Sequence, residues 1–210
     1  MNFENKLLSG LFIKRYKRFF VDVSIKNKIV TAHCPNSGSM MGLLKKNNRV
    51  WITEARNKKR KLKYTLQIIK HDKSKIGVNT HLTNKIVLEA LKNKSIKDFG
   101  NPTYIKSEQV FGKNTRFDFY LEEKNIKTFL EVKNVTLKRK SKTAEFPDSI
   151  TSRGTKHINE LINAKKKGFN ACLLFLIQRQ DCDKFIIAKD IDPEYSKALI
   201  NAIKHNVKIL

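Results

Sequence analysis

The sequence is poor in cysteine, in acidic residues and in long apolar runs. Its 210 residues include only 3 cysteines, whose odd number and irregular spacing exclude a disulfide framework and indicate a reducing, cytoplasmic setting. No apolar run approaches the roughly 20 residues of a membrane span, and the N-terminus lacks the apolar core of a signal peptide. Neither a P-loop nor a Gly-x-Gly-x-x-Gly motif is present, so the common nucleotide-binding classes are not indicated.

Positive charge dominates what is present. The chain has 44 Lys and Arg against 19 Asp and Glu, a net charge of +25. Part of this excess is the lysine-rich composition that an AT-rich genome produces, but the distribution is uneven, because residues 1–80 hold 19 basic and 4 acidic residues. Basic chains attract polyanions, and no strongly amphipathic basic helix favours a membrane surface. Nucleic acid is therefore the expected partner, DNA before RNA.

The first 80 residues show short strands separated by turns. Apolar residues alternate at period two in Phe19–Ile25, and Lys26-Asn27 supplies a turn into a second strand over 28–32. Further strand segments follow at 50–53 and 62–69. Several short strands in about 60 residues predict a small β-barrel, for which the OB-fold is a natural candidate.

After residue 80 the pattern changes to alternating helices and strands. The predicted elements are a helix from Thr83, a strand over 104–111, a hairpin of 116–121 with 126–135, a helix over 151–167, a buried strand over 171–177 and a helix from Asp192. We therefore expect two domains, a barrel over 1–80 and an α/β domain over 81–210.

Asp118 and the triplet Glu131-Val132-Lys133 are the residues that we expect to carry chemistry. Phosphodiester hydrolysis with a divalent metal, Mg²⁺ or Mn²⁺, needs two or more carboxylates on the ion and a cation near the attacking water. Strand periodicity places Glu131 and Lys133 on one face. A two-residue turn at 124–125 pairs 118 with 131, which brings both carboxylates to that face about 5 Å apart.

The alternative for these residues is structural. The chain contains other Glu-x-Lys triplets, and opposite charges on a solvated sheet face commonly form only a cross-strand ion network. The triplet at 131–133 differs from the others because it lies in an apolar strand pattern, one hairpin after an aspartate. Two carboxylates that close repel each other, and either a bound Mg²⁺ or the Lys133 ammonium would relieve the repulsion.

Other residues are candidates for the same site or for contacts with a nucleic-acid backbone. Glu108, on the preceding strand, is a candidate third metal ligand, and Glu89 is another; the simpler explanation for each is an ordinary surface carboxylate. Arg153, Lys156 and His157 lie in the first turns of a helix, where N–H groups and basic side chains hold phosphates. A solvated helix face is the alternative there.

A basic segment near the N-terminus alternates with aromatic residues. It is Lys14-Arg15-Tyr16-Lys17-Arg18-Phe19-Phe20. This pattern predicts a strand that holds phosphates through Arg15, Lys17 and Arg18 and stacks bases on its rings. The alternative is a strand with its aromatics in the core and its bases in water.

Eight blocks spread along nearly the whole chain are Arg15–Phe19, His33–Met40, Gly77–Thr80, Arg116–Phe119, Glu131–Leu137, Phe146–Asp148, Arg153–His157 and Gln178-Arg179. Together, in this order, they resemble the sugar fermentation stimulation protein A family of bacteria and archaea. The resemblance implies an N-terminal OB-type domain and a C-terminal domain similar to PD-(D/E)XK nucleases, the restriction endonuclease-like fold. In that pattern Asp118 matches the core acid, and Glu131 and Lys133 match the (D/E)xK pair.

Members of this family are described as DNA-binding proteins with little sequence preference, linked to the regulation of sugar (maltose) use. The resemblance therefore implies a cytoplasmic, sequence-nonspecific DNA-binding protein with a Mg²⁺-dependent nuclease-like site. A catalytically silent DNA-binding module is the alternative, because a fold does not fix a function.

Overall fold

The computed structural model describes residues 2–3, 5–57, 59–112 and 115–210, which form two compact units. Each unit is assembled from several segments. The first comprises Met1–Leu82, Val135–Asp148 and Ile177–Ile186, and the second comprises Thr83–Asn134, Ser149–Leu176 and Ile187–Leu210. Two segments that follow residue 80 thus pack with the first unit.

The elements are named here in chain order. The strands are β1 (Leu7–Tyr16), β2 (Phe20–Ile25), β3 (Lys28–His33), β4 (Arg49–Glu54), β5 (Tyr64–His71), β6 (Ser74–Gly77), β7 (Tyr104–Phe111), β8 (Thr115–Glu123), β9 (Ile126–Val135), β10 (Leu137–Lys140), β11 (Thr143–Phe146), β12 (Asn170–Ile177), β13 (Lys184–Ile187) and β14 (Lys208–Ile209). The α-helices are α1 (Thr83–Lys92), α2 (Ser152–Lys166) and α3 (Pro193–Lys204). Among the described residues, no helix is long and apolar enough to span a membrane.

Strands β1 to β6 form one sheet of the first unit, in the order β3-β2-β1-β4-β5-β6. Strand β3 also pairs in parallel with β5, through Ala32 with Tyr64 and His33 with Thr65. This pairing closes β1 to β5 into a five-stranded barrel, which confirms the predicted OB-fold. The inward residues of alternating strands, such as Val21, Val23 and Ala32, are fully buried in its core.

Two turns of the barrel bear on the sequence prediction. Lys26 and Asn27 have φ of 47° and 64° and form the predicted two-residue turn between β2 and β3. The prediction of one strand through Lys14–Phe20 is wrong, because Lys17 and Arg18, with φ of 46° and 60°, turn the chain between β1 and β2. Positive φ at both turn positions matches the twist of the paired strands.

The second unit is built on a five-stranded sheet in the order β14-β12-β9-β8-β7. Strands β7, β8 and β9 are antiparallel, and their apolar side chains, including Phe119, Leu130 and Val132, pack against Val87 and Leu91 of α1. Helices α2 and α3 begin within one residue of their predicted starts, each after a capping side chain: Thr151 accepts a hydrogen bond from the Gly154 amide, and Asp192 accepts one from the Tyr195 amide.

Candidate active site

The β8–β9 hairpin carries Asp118, Glu131 and Lys133. Its turn residues Lys124 and Asn125 have φ of 46° and 68°, and its ladder runs from Glu123 with Ile126 to Phe119 with Leu130. The register is the predicted one, but the ladder ends one pair before 118 and 131. Just beyond the last pair, the side chain of Asp118 contacts the backbone of β9: its Oδ2 accepts a hydrogen bond of 2.7 Å from the Val132 amide.

Helix α1 holds the other oxygen of Asp118. The Asn84 side-chain amide donates to Asp118 Oδ1 at 2.7 Å. Sequence reasoning did not identify Asn84, since nothing in the local pattern distinguishes it from any polar residue in the first turn of a helix. The contact exists because α1 packs on β8 and β9.

Glu131 is buried, with 3% of its surface exposed. Its Oε1 accepts a hydrogen bond of 2.7 Å from Lys133 Nζ and also contacts His157 Nδ1. Its Oε2 is buried and has no hydrogen-bond partner among the described residues. A buried carboxylate oxygen without a partner is costly unless another group binds it.

The surroundings of the two carboxylates shift their pKa values in opposite directions. Burial, and next the charge of Glu131, raise the pKa of Asp118 to about 6, although the Val132 and Asn84 hydrogen bonds oppose the shift. Burial also acts to raise the pKa of Glu131, but the hydrogen bond from His157 and the Lys133 ammonium outweigh it and lower that pKa. Neighbouring acids whose pKa values are pushed apart are typical of catalytic sites.

The donor set fits a magnesium-like ion with few protein ligands. Glu131 Oε2 and the Asp118 carboxylate are hard oxygen donors, and Mg²⁺ binds through one or two carboxylates while keeping several waters. No group of three or more His, Cys, Asp or Glu is arranged to hold a metal in the part of the chain that the structure describes. A closed cage of the zinc type is therefore not what these residues offer.

The structure does not group Glu108 with Asp118 and Glu131. Glu108 has φ of 56°, its side chain is 57% exposed, and it lies 3.6 Å from Arg116. The β7–β8 ladder pairs Ser107 with Phe119 and Gln109 with Phe117, so it is interrupted between them, at Glu108 and Asp118. Glu89 lies half-buried on α1.

The three candidate residues of helix α2 differ in their exposure to solvent. Arg153 and Lys156 are exposed in its first turns, and Arg153 Nε lies 3.5 Å from His157 Nε2. His157 is 9% exposed and contacts Glu131. The sequence placed His157 among phosphate ligands, whereas the structure makes it a partner of the buried carboxylate.

The basic residues near the N-terminus also differ from one another. The Arg15 guanidinium donates to the carbonyls of Asn36 at 2.7 Å, Gly38 at 2.9 Å and Arg18 at 2.7 Å, so it holds the chain around it. Lys17 and Arg18 are exposed at the tip of the β1–β2 hairpin. Of the three, they are the residues whose side chains are exposed to solvent.

Comparisons with known proteins agree with this architecture. Residues 13–78 match the family model described as the SfsA N-terminal OB domain, and residues 81–210 match the one described as the sugar fermentation stimulation protein RE domain. A sugar fermentation stimulation protein homolog of Pelagibacter ubique is 54% identical over 100% of this chain and 90% of its own length. One from Brucella anthropi is 40% identical over 99% of this chain and 90% of its own length.

A solved structure shares the whole fold. The structure of Pyrococcus furiosus SfsA in complex with Ca²⁺ superposes with a TM-score of 0.91 at 26% identity, covering 100% of this chain and 88% of that one. Both halves of the chain match the family models, and the relatives align along its full length. The chain therefore belongs to the sugar fermentation stimulation protein family.

Proposed function

We propose that this protein binds DNA with little dependence on sequence and hydrolyses phosphodiester bonds at Asp118, Glu131 and Lys133 with Mg²⁺ or Mn²⁺. The observation that carries the proposal is the state of Glu131, a buried carboxylate with one oxygen held by Lys133 and His157 and the other without a partner among the described residues. The proposal takes these residues as the acid and the (D/E)xK pair of PD-(D/E)XK nucleases, the roles that the family resemblance implies for them. The Ca²⁺ in the Pyrococcus furiosus relative supports a site for an oxygen-liganded divalent cation.

Each residue has a definite task in this proposal. Asp118 and Glu131 would hold the ion, Glu131 through Oε2. When bound, the ion would lower the pKa of a water and neutralise charge on the phosphate. Lys133, with its side chain 13% exposed, keeps a cation where it can orient the attacking water and stabilise developing negative charge. His157 fixes Oε1 of Glu131 and so keeps Oε2 directed away from the protein's own donors.

A binding module without chemistry is the second candidate. One observation favours it: the described residues supply two grouped carboxylates rather than three or more ligands, so an ion would be held weakly. In that case the basic residues would bind DNA, and any effect on genes would come from occupancy.

A cleavage assay separates the two candidates. Single-stranded, duplex and branched DNA, with RNA alongside, are incubated with the protein and Mg²⁺ or Mn²⁺, and Glu131→Gln and Lys133→Ala are purified identically. We expect both variants to lose turnover and to keep a gel shift. Glu122→Gln is the matched control, since Glu122 is a half-buried glutamate of the same hairpin whose carboxylate contacts Tyr120.

The outcomes are distinct. Cleavage that disappears in Glu131→Gln and persists in Glu122→Gln establishes the enzyme. Cleavage that survives in Glu131→Gln comes from a contaminant or another site and overturns the assignment. Intact DNA binding without cleavage by the wild type leaves the binding module.

A further inference from the structure

The outward side of the barrel carries a row of rings across its first three strands. Tyr16 of β1 pairs with Phe20 of β2, and Phe20 pairs with His33 of β3. Val21 and Ala32, the neighbours of Phe20 and His33, are fully buried in the core, so strand alternation directs Phe20 and His33 outward. The Tyr16 and Phe20 rings are stacked, with centroids 5.4 Å apart and planes at 16°.

A second stack adjoins this row. The Phe19 and His33 rings have centroids 6.4 Å apart with planes at 23°, and the His81 ring lies 6.0 Å from His33. Tyr16 is 37% exposed and Phe19 is 44% exposed, which is high for side chains of this kind. We call these five residues the ring surface: Tyr16, Phe19, Phe20, His33 and His81.

The imidazole of His33 is an uncharged ring at neutral pH. Burial, followed by the interactions with Arg60 and His81, lowers the pKa of His33. A neutral ring stacks on other rings without the cost of desolvating a cation. Arg60 of the β4–β5 loop donates to the Thr65 hydroxyl at 3.3 Å, and Thr65 pairs with His33, so a cation of this loop lies near the stack.

Two basic loops border the ring surface. The β1–β2 turn presents Lys17 and Arg18, and the hydrogen bond of 2.7 Å from Arg15 to the Arg18 carbonyl fixes its conformation. The β4–β5 loop is exposed and strongly basic; its described cations are Arg56, Lys59, Arg60, Lys61 and Lys63, and Lys58 lies outside the described residues.

One acidic residue faces outward on the same strands. Asp22 accepts hydrogen bonds from Thr31 at 2.8 Å and from the Tyr16 hydroxyl at 3.3 Å, and its carboxylate lies 3.8 Å from Lys14. Its side chain is 13% exposed. Because the Lys14 ammonium beside it offsets its charge, it opposes an anionic ligand only weakly.

Rings and cations together discriminate between forms of nucleic acid. In a duplex the bases are stacked on one another, whereas an unpaired strand offers the π-faces of its bases to aromatic side chains. OB-folds bind oligonucleotides on the face of strands 2 and 3 and with the loops that join strands 1 to 2 and 4 to 5. The ring surface and its two basic loops occupy these three places in this barrel.

We infer that the ring surface binds single-stranded DNA, stacking unpaired bases on Phe19 and its neighbouring rings while the two basic loops hold the phosphates. The inference rests on the proposed function in taking DNA as the polyanion. It adds a preference for the unpaired strand and assigns that preference to the barrel.

Fluorescence anisotropy with a labelled oligothymidine of about 15 nucleotides, near the upper site size of one OB-fold, tests the inference. Phe19→Leu keeps an apolar side chain and removes the ring. We expect it to weaken single-strand binding about 5- to 100-fold, the usual range for one stacked base, and to change duplex binding less than about twofold. Phe19→Trp restores a ring and should restore affinity.

Two further variants serve as a negative control and as a second test of the ring surface. Tyr104→Leu removes a ring that is 48% exposed on β7 of the second unit and should leave both affinities unchanged. His81→Ala removes an exposed ring at the end of the stack, and it should weaken single-strand binding even if Phe19→Leu were to fold poorly, which thermal melting would reveal.

Each result is decisive. Unchanged single-strand affinity in both Phe19→Leu and His81→Ala overturns the inference, as do equal losses for single strand and duplex. An RNA strand that binds more tightly than its DNA equivalent overturns the choice of DNA. Wild-type protein that binds duplex but not the single strand refutes this inference alone, whereas wild-type protein that binds neither refutes the proposed function as well.

Discussion

At the level of single residues, Asp118 and Glu131 share one region but differ in how their charge is compensated. Glu131 has the Lys133 ammonium and His157 on one oxygen. Asp118 accepts hydrogen bonds from the Asn84 and Val132 amides and is influenced less by Lys133, and burial together with the charge of Glu131 outweighs these and raises its pKa to about 6. The ionised form of Asp118 therefore costs folding free energy unless a cation is bound, as is common where function opposes stability.

Asp118→Asn should make the metal-free protein more stable. The substitution removes the uncompensated charge and keeps an oxygen for the Val132 amide, and the Asn84 amide can turn its oxygen toward the new NH₂ group. We expect a gain of about 1–2 kcal/mol in the free energy of unfolding at pH 8 with EDTA, measured by urea denaturation.

The response to Ca²⁺ completes this test. Ca²⁺ should raise the melting temperature of the wild type, because a ligand that binds only the native state stabilises it, and should not raise that of Asp118→Asn. Asp98→Asn, at an aspartate paired with Lys208, should respond to Ca²⁺ as the wild type does. A loss of stability in Asp118→Asn, or an equal response to Ca²⁺, would contradict the argument.

Arg179 and Asp181 form a charge pair in the first unit, in which Arg179 is buried and Asp181 is partly exposed. The Arg179 side chain is 1% exposed; it donates to Asp181 at 3.0 and 2.9 Å and to the Thr136 carbonyl at 2.6 Å. The Arg179 hydrogen bonds, and after them Lys138, hold the pKa of Asp181 well below its usual range. A depressed pKa stabilises the fold at any pH above the unfolded value of about 3.9, and the contribution disappears as the pH falls through the folded value.

Asp181→Asn should therefore destabilise the protein in a pH-dependent manner. We expect a loss of about 2–4 kcal/mol at pH 7, because the substitution leaves a buried guanidinium without its carboxylate. The difference from the wild type should shrink below pH 4. Urea denaturation at pH 7 and pH 3 measures it, with Asp183→Asn, at an aspartate 58% exposed, as a comparison that should change little. A difference that does not depend on pH would show that packing rather than charge is responsible.

Strand periodicity allowed the sequence to predict the candidate-site residues of the β8–β9 hairpin, but not those that other elements contribute. The alternation on β9 and the Lys124-Asn125 turn lead from sequence to Asp118, Glu131 and Lys133. The contacts of Asn84 and His157 come from helices packed on the sheet, and nothing local encodes them. Arg15 shows the same limit, because its carbonyl partners at Asn36, Gly38 and Ser39 are set by the path of a loop 21 to 24 residues away.

At the level of elements, the hairpin turns explain which strands were predicted. Lys26-Asn27 and Lys124-Asn125 contain an asparagine, which tolerates positive φ, and both turns were predicted. Lys17-Arg18 adopts the same conformation without any residue that favours it, so the chain reads as a continuous strand there. The four-residue strands β6, β10, β11 and β13 are too short for a periodic signal, and β10 reads Leu-Lys-Arg-Lys.

Lys124→Asn should stabilise the β8–β9 hairpin that carries the proposed site. Lys124 has φ of 46°, where lysine is strained and asparagine is accommodated. We expect a gain of about 0.5–1 kcal/mol in the free energy of unfolding. Lys127→Asn removes the same charge from an exposed position in β9 and should not stabilise, because asparagine is disfavoured in strands. Equal effects from the two changes would trace the gain to reduced positive charge instead.

At the level of the whole molecule, the charge of +25 is far larger than solubility requires. Self-repulsion among so many cations weakens a compact fold. The excess charge is therefore either a by-product of lysine-rich genome composition that the fold tolerates, or a means of attracting a polyanion. These explanations differ in one measurable property. Cations that contact phosphates release counterions on binding, whereas cations that merely decorate the surface do not.

DNA affinity should therefore fall linearly with salt on a log–log scale, with a slope of about −0.9 for every phosphate neutralised on duplex. Lys17→Ala with Arg18→Ala should reduce the magnitude of that slope by about two such contacts, because both side chains are exposed at one hairpin tip. Lys94→Ala with Lys204→Ala removes the same charge just after α1 and at the end of α3 and should leave the slope unchanged.

Anisotropy titrations between 50 and 200 mM salt give the slopes, because several phosphate contacts change the affinity by orders of magnitude over this range. A wild-type slope near zero would mean that the charge is composition alone, and equal reductions in the two double variants would mean that net charge, not the hairpin tip, governs binding.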